Sequence, residues 1–184
     1  GAEAIAAVAL CGVLMQITWT LLVGVSIGAT AIVDRSIGAG EPELAGRAAA
    51  QALTLGVAIS ALLAGFALAA GEPALRLLGA SGRVLELASG YLLINLCCSF
   101  TVVLYFMSNG IMRGAGDAVT PMVLMAVATV LNIVLDPIMI FGLLGFPALG
   151  VNGAAWATVI SQGLAMAGAL WATGRGVSRI RIRW

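Results

Sequence analysis

The sequence predicts an all-α, polytopic membrane bundle of five transmembrane helices. Three observations predict it. The 184 residues are 61% hydrophobic and only 9% charged, against roughly 25% charged in a soluble domain. The charges are separated by long uncharged runs: between Glu3 and Asp34, and over Ala48–Gly71, Leu87–Met112, Ala118–Leu135 and Pro137–Gly174. A spanning helix needs about 20 mainly apolar residues, which these runs supply. Small residues, 24 of them Gly, recur in every span. In lipid they let helix backbones approach closely, although a compositional bias toward Ala and Gly also contributes.

Taken in order, the spans cover about 4–33, 48–70, 87–112, 121–144 and 151–173, in one bundle over 1–174. Asp34 to Glu43 reads as a polar Gly/Pro turn. The next connection, Gly71 to Glu86, contains a segment from Pro73 to Leu78 that suggests a short interfacial helix. Arg113-Gly114-Ala115-Gly116-Asp117 makes a tight third connection. Thr120 is the expected cap of the fourth span, ahead of Pro121 at its first position. Gly145 to Gly150 joins the last two spans without a charge.

All nine basic residues are Arg. Arg35, Arg47, Arg113, Arg175, Arg179, Arg181 and Arg183 fall on one side of this topology, and only Arg76 and Arg83 on the other. The positive-inside rule makes the first side cytoplasmic. Residues 175–184 are then a basic cytoplasmic tail or an inter-lobe linker. The chain would enter from outside, and it opens on Gly1 with no basic stretch and cleavage site of a signal peptide. That start fits a preceding helix. The expected location is a bacterial or archaeal inner or plasma membrane.

Several chemistries lack their residues. There is no His or Lys, so no nucleophile has an adjacent base of those types. Gly38-Ala39-Gly40 and Gly114-Ala115-Gly116 lack the strand context of nucleotide loops. Cys11, Cys97 and Cys98 lie within apolar runs without metal-binding spacing and read as small hydrophobes. A net charge of +1 points to no nucleic-acid partner. No enzyme activity and no cofactor are expected; the partner is the lipid bilayer.

The stretch from Leu131 to Phe141, LNIVLDPIMIF, carries a carboxylate where lipid disfavours one. Asp136 lies nine residues before Gly145, roughly a third of the membrane depth from the outer end at about 1.5 Å per residue. Placing Asp at mid-span costs about 2.5–3.5 kcal/mol on insertion scales, so such residues usually face a bundle interior or a wet cavity. Asn132, four residues earlier, shares its helix face. Pro137 has no N–H, which frees the Ile133 carbonyl and predicts a bend. Carboxylate, amide oxygen and free carbonyl suit a small hard cation. They also suit a proton, because desolvation costs a charged carboxylate more than a neutral acid. The bland alternative is a neutral Asp136 hydrogen-bonded to a neighbour such as Asn132. Thr158 in the fifth span either joins this oxygen cluster or simply bonds back to the Ala154 carbonyl. Tyr91, Asn95, Tyr105 and Asn109 are the polar residues of the third span. Met107, Met112, Met122, Met125, Met139 and Met166 either line an adaptable cavity or pack.

The sequence resembles the first lobe of MATE transporters, the multidrug and toxic compound extrusion family. The resemblance is carried by Gly1 to Val8, by Arg35-Ser36-Ile37-Gly38-Ala39-Gly40 with Ala45 and Arg47, and by Gly110 to Asp117. Its most specific part is LNIVLDP, Leu131 to Pro137, followed by ALGVNGAAWAT, Ala148 to Thr158. The resemblance implies a twelve-helix fold of two lobes, with the five spans here as helices two to six. It implies export of organic cations or drugs against inward Na⁺ or H⁺ flow, the ion acting as coupling species. It implies a cation site of Asn132, Asp136, Thr158 and the Ala154 carbonyl, with the first three as ligands if the ion is Na⁺. Tyr91 matches a tyrosine near that site, and Asn109 a polar cavity position. The family's first helix, with its own Asp, and its second lobe fall outside this chain, so the fragment is not expected to transport alone.

Two other functions compete. A lipid-linked precursor flippase of the same superfamily would need a more cationic cavity, whereas the Arg residues here fall in loops and tail. A non-transporting membrane scaffold would use Asp136 only to hold helices together.

Overall fold

The computed structural model describes residues 2–174, which form six α-helices and one 3-10 turn. The tail expected to be cytoplasmic lies outside the described residues. Helix α1 spans Ala2–Gly38, α2 Pro42–Leu77, α3 Gly82–Cys97, α4 Ser99–Gly114, α5 Val119–Phe141 and α6 Val151–Gly174. Four of them, α1, α2, α5 and α6, are each long and apolar enough to cross a membrane, and α3 and α4, bent by 45° at their break, pass the same test as a pair, which gives four crossings or up to five.

The first two helices outrun the expected spans. At 37 residues, α1 reaches about 55 Å, well beyond the roughly 30 Å hydrocarbon core. It continues through Asp34 and Arg35, so the turn that follows shrinks to Ala39–Glu41. Helix α2 likewise runs on through Pro73 to Leu77. The separate interfacial helix expected over 73–78 is therefore the last turn of α2. Glu72 and Arg76, a 2.6 Å ion pair one turn apart, lie on this extension.

The third span is not one helix over 87–112. It begins at Gly82 and breaks at Cys98, whose φ of −94° and ψ of 12° leave the helical region. The physical reason is that its two halves join different cores. Ala88, Leu92 and Leu96 of α3 pack with Ala7 and Cys11 of α1 and Leu75 near the end of α2. Val103, Met107 and Ile111 of α4 pack with Leu22 and Val33 of α1 and Ala49 and Leu53 of α2. The break is closed locally by Thr101, whose N–H and hydroxyl both donate to the Cys98 carbonyl, at 3.2 and 2.9 Å. Met107 and Met112 are core residues here, whereas Met125 lines a cavity.

Helix α4 lies backbone to backbone on α1. A Cβ on Gly114 would sit 2.6 Å from the Thr30 carbonyl oxygen, and one on Gly110 2.7 Å from Ser26 Oγ. That spacing lets Ser26 and Thr30 donate to the Phe106 and Gly110 carbonyls at 3.2 and 3.0 Å. Such small-residue contacts with hydroxyl cross-links are a way membrane helices associate without a hydrophobic driving force between them.

Asp117, not Thr120, caps α5. Its carboxylate accepts the N–H groups of Val119 and Thr120 at 3.1 and 3.0 Å. Desolvation pushes this carboxyl up, but bonds from the Thr120 backbone, the Thr120 side chain and the Val119 backbone outweigh it, leaving the group below its ordinary value. A depressed carboxyl contributes stability above its unfolded value and loses it as pH falls through the folded one. Asp117→Ala should therefore cost about 1 kcal/mol at neutral pH, with the difference from wild type vanishing in acid below the ordinary carboxyl range. Thermal unfolding in detergent at neutral and acid pH checks both parts.

Helix α5 is continuous from Val119 through Pro137 to Phe141. It ends at Gly142 in a left-handed conformation, φ 72°. A side chain there would meet the Ala148 nitrogen at 2.7 Å and the Phe146 oxygen at 2.8 Å. The following loop folds back over the helix end. Leu149 N–H donates to the Met139 carbonyl at 3.0 Å and Gly150 N–H to the Ile140 carbonyl at 3.2 Å. These bonds satisfy carbonyls that a helix end leaves without partners. They also start α6 directly against α5, with Gly153 seated on the Met139 carbonyl.

Candidate functional site

The α5–α6 seam positions the candidate site. Along α5, Val130, Ile133 and Val134 are exposed, while Ala128, Asn132 and Asp136 are buried or half-buried. These three repeat at four-residue intervals and form the face turned to the bundle. Asn132 Nδ2 meets Thr158 Oγ1 of α6 at 3.5 Å, a long contact. The Thr158 hydroxyl donates to the Ala154 carbonyl at 3.0 Å. Thr158 therefore makes the local back-bond and also lies against Asn132.

One carboxylate oxygen of Asp136, Oδ1, is buried without a hydrogen-bond partner among the described residues. Buried polar atoms are normally satisfied, and no donor among the described residues reaches this one. The Asn152 carbonyl oxygen at the start of α6 is also buried and unpartnered among the described residues. It packs so tightly against α3 that a Cβ on Gly90 would stand 2.9 Å from it.

Two cavities flank this seam. The outer one, about 270 Å³, is lined by Gln16 and Trp19 of α1, Tyr91 and Asn95 of α3, and Thr158 and Gln162 of α6. The inner one, about 400 Å³, runs toward Arg113 and is lined by Tyr105, Asn109, Asn132, Thr158 and Gln162. The structure thus brings Asn132 and Thr158 into contact, puts Asp136 on their side of α5, and places Tyr91 and Asn109 in different cavities. Thr158 and the Ala154 carbonyl are one unit. Gln16, Trp19 and Asn152 were not singled out from the sequence. A Gln and a Trp within an otherwise apolar α1 were the available signal.

Four, or up to five, helices apolar enough to cross a membrane, one of them carrying a half-buried carboxylate, define a polytopic helical membrane bundle. The MatE family model matches residues 1–138, and the chain belongs to that family of transporters. It is 33% identical over 165 residues to the probable multidrug resistance protein YoeA of Bacillus subtilis, covering 88% of this chain and 35% of YoeA. It is 35% identical over 159 residues to the probable multidrug resistance protein NorM of Thermotoga maritima, covering 82% of this chain and 33% of NorM. An FAD transporter of Shewanella oneidensis is 33% identical, with 88% of this chain and 36% of that protein covered. The fold superposes on a solved multidrug resistance MATE transporter in its inward-facing conformation with a TM-score of 0.92 and 33% identity, over 100% of this chain and 41% of that one. The chain spans about a third of the length of these curated relatives.

Proposed function

We propose that this chain is most of the first lobe, helices two to six, of an exporter that expels organic cations or drugs in exchange for inward Na⁺ or H⁺. The carrying observation is the inward stripe of α5, with the unpartnered Asp136 oxygen beside the Asn132–Thr158 contact. In this reading Asp136 supplies charge, Asn132 and Thr158 supply neutral oxygens, and the Ala154 carbonyl orients the Thr158 hydroxyl. Tyr91 and Asn109 line the cavities on either side. A further Asp from a preceding helix completes the site in the full-length protein, and a second lobe supplies the other half of the pathway.

Coupling follows if cation and substrate favour different states of the transporter. A bound cation neutralises Asp136; an empty site leaves a charge that favours a cationic substrate or a new cation. The lobe itself changes little in this scheme. Its likeness to an outward-facing relative, TM-score 0.93, differs by only 0.01 from its likeness to the inward-facing one at 0.92, which supports rocking of whole lobes. The seven-to-two Arg asymmetry supports placing Arg113 and the tail in the cytoplasm.

Reconstitution of the full-length protein tests the reading. In proteoliposomes it should drive uphill movement of a fluorescent organic cation when, and only when, a Na⁺ or H⁺ gradient of opposite direction is imposed. Imposing each gradient alone identifies the ion. Movement that ignores both gradients would count against coupled exchange.

A further inference from the structure

Residues 142–150, which join α5 to α6, carry no charge, and none occurs anywhere from Pro137 to Gly174. The side chains this loop holds outward are large and apolar. Leu144 is 84% exposed and Phe146 57%, with Leu143 and Leu149 exposed beside them. The other turn at this end of the bundle has the opposite chemistry. Gly90 of α3 stands against Asn152 of α6, so the start of α3 lies beside the start of α6. The turn entering α3 is bracketed by two exposed ion pairs, Arg76–Glu72 and Arg83–Glu86. Of two turns at one end, one is flanked by charge and the other presents only hydrocarbon.

The backbone of the loop suits an apolar surrounding. Besides the bonds to the Met139 and Ile140 carbonyls, Gly142 N–H donates to the Ile138 carbonyl and Phe146 N–H to the Leu143 carbonyl. Backbone groups that approach lipid must be met within the protein. Leu144 has φ 57° and ψ 25°, a left-handed conformation that Gly or Asn adopts at lower cost than Leu. A strained backbone that turns a Leu into water gains nothing. Turned into hydrocarbon, the same side chain offsets the strain by its removal from water.

The loop also continues an apolar face. Phe141, Val134, Val130, Val127 and Val123 are all exposed, and their spacing puts them on one side of α5, opposite Asn132 and Asp136. That side turns away from the bundle and from the candidate site, which leaves lipid to cover it. Helix α5 has 23 residues, about 35 Å at 1.5 Å per residue, against a hydrocarbon core of roughly 30 Å. With charged Asp117 at one membrane boundary, Phe141 and the loop reach the other.

We propose that residues 143–149 seat on the membrane, with Leu144 and Phe146 inserted where headgroups meet acyl chains in the leaflet opposite Arg113, the outer leaflet in the proposed orientation. The partner is phospholipid. The loop anchors the outer end of the α5–α6 seam while whole lobes move, and the anchoring does not require Asp136 to bind a cation.

Spin-label accessibility in the full-length protein, freed of its native cysteines and reconstituted in liposomes of phosphatidylcholine and phosphatidylglycerol, tests this. Nitroxides at Leu144→Cys and Phe146→Cys should collide more with apolar oxygen than with the aqueous chelate nickel ethylenediaminediacetate, as should one at Val130→Cys within α5. A label at Ser81→Cys, in the turn between the ion pairs, should show the reverse. Either loop variant suffices if the other does not fold. Leu144→Asn suits the left-handed backbone and removes the apolar wedge, so in that background the label at Phe146→Cys should shift toward the nickel reagent. Collision mainly with nickel at the loop positions overturns the proposal by placing the loop in water. Low collision with both reagents overturns it by placing protein, the second lobe or another copy, over the loop. An unchanged Phe146→Cys signal with Leu144→Asn overturns Leu144 as an anchor. None of these readouts involves transport, so a failure of coupled exchange leaves them standing.

Discussion

Asp136→Asn in the full-length transporter should abolish cation-driven accumulation while leaving expression and folding near wild type. The substitution keeps shape and hydrogen-bonding capacity and removes only the ionisable charge. An inward cation moving down about 100 mV releases about 2.3 kcal/mol. That sustains roughly a fortyfold concentration ratio for an uncharged exported solute. With no charge to bind the cation, the ratio should relax toward one. A scaffold role predicts the reverse, because Asn hydrogen-bonds neighbouring helices as well as a neutral Asp does. Efflux at the wild-type level under either gradient would make Asp136 structural.

Gly153→Leu should disable the site without touching its ligands. A Cβ at this position meets the Met139 carbonyl oxygen and carbon and stands 2.9 Å from the Ile140 nitrogen. These are backbone atoms of α5, so no rotamer change can relieve the contact. Overpacking costs typically 1–3 kcal/mol and more where backbone must move. The same stretch of α5 accepts the loop bonds from Leu149 and Gly150, so pushing α6 away also strips the helix end of its donors. The expected result is a clear fall in thermal unfolding temperature together with loss of cation binding. Unfolding at the wild-type temperature would mean that α5 and α6 do not pack as described. Substitution at exposed Gly28, where a Cβ meets nothing within 4 Å, is the control.

The membrane class and the number of spans were legible because uncharged runs report lipid directly. The stripe of Asn132 and Asp136 was legible because four-residue spacing fixes a helix face. What failed has a common cause. The segment from Pro73 is expected as a separate helix, yet Pro73 sits inside α2, and Pro137, where a bend is expected, lies within one continuous α5. A proline forfeits one backbone bond, whereas opening a helix in lipid exposes several unsatisfied groups. Conversely, Cys97-Cys98-Ser99 contains no Gly or Pro, yet there the third span breaks. That break belongs to tertiary packing, because α3 and α4 dock into separate cores, and no local residue encodes it. Thr120 is the expected cap because Pro121 suits a first helical position, whereas α5 begins two residues earlier, at Val119. That the two cavities meet at Trp19, Thr158 and Gln162 was not legible, since these come from helices whose relative rotation the sequence does not state.

On this reading the Asp136 carboxyl itself binds the coupling cation. Infrared difference spectroscopy between the cation-loaded and cation-free full-length protein observes that group directly. The expected result is a carboxyl band that changes on loading in the wild type and is missing from the difference spectrum of Asp136→Asn. An identical carboxyl difference band in both proteins would place the coupling site elsewhere.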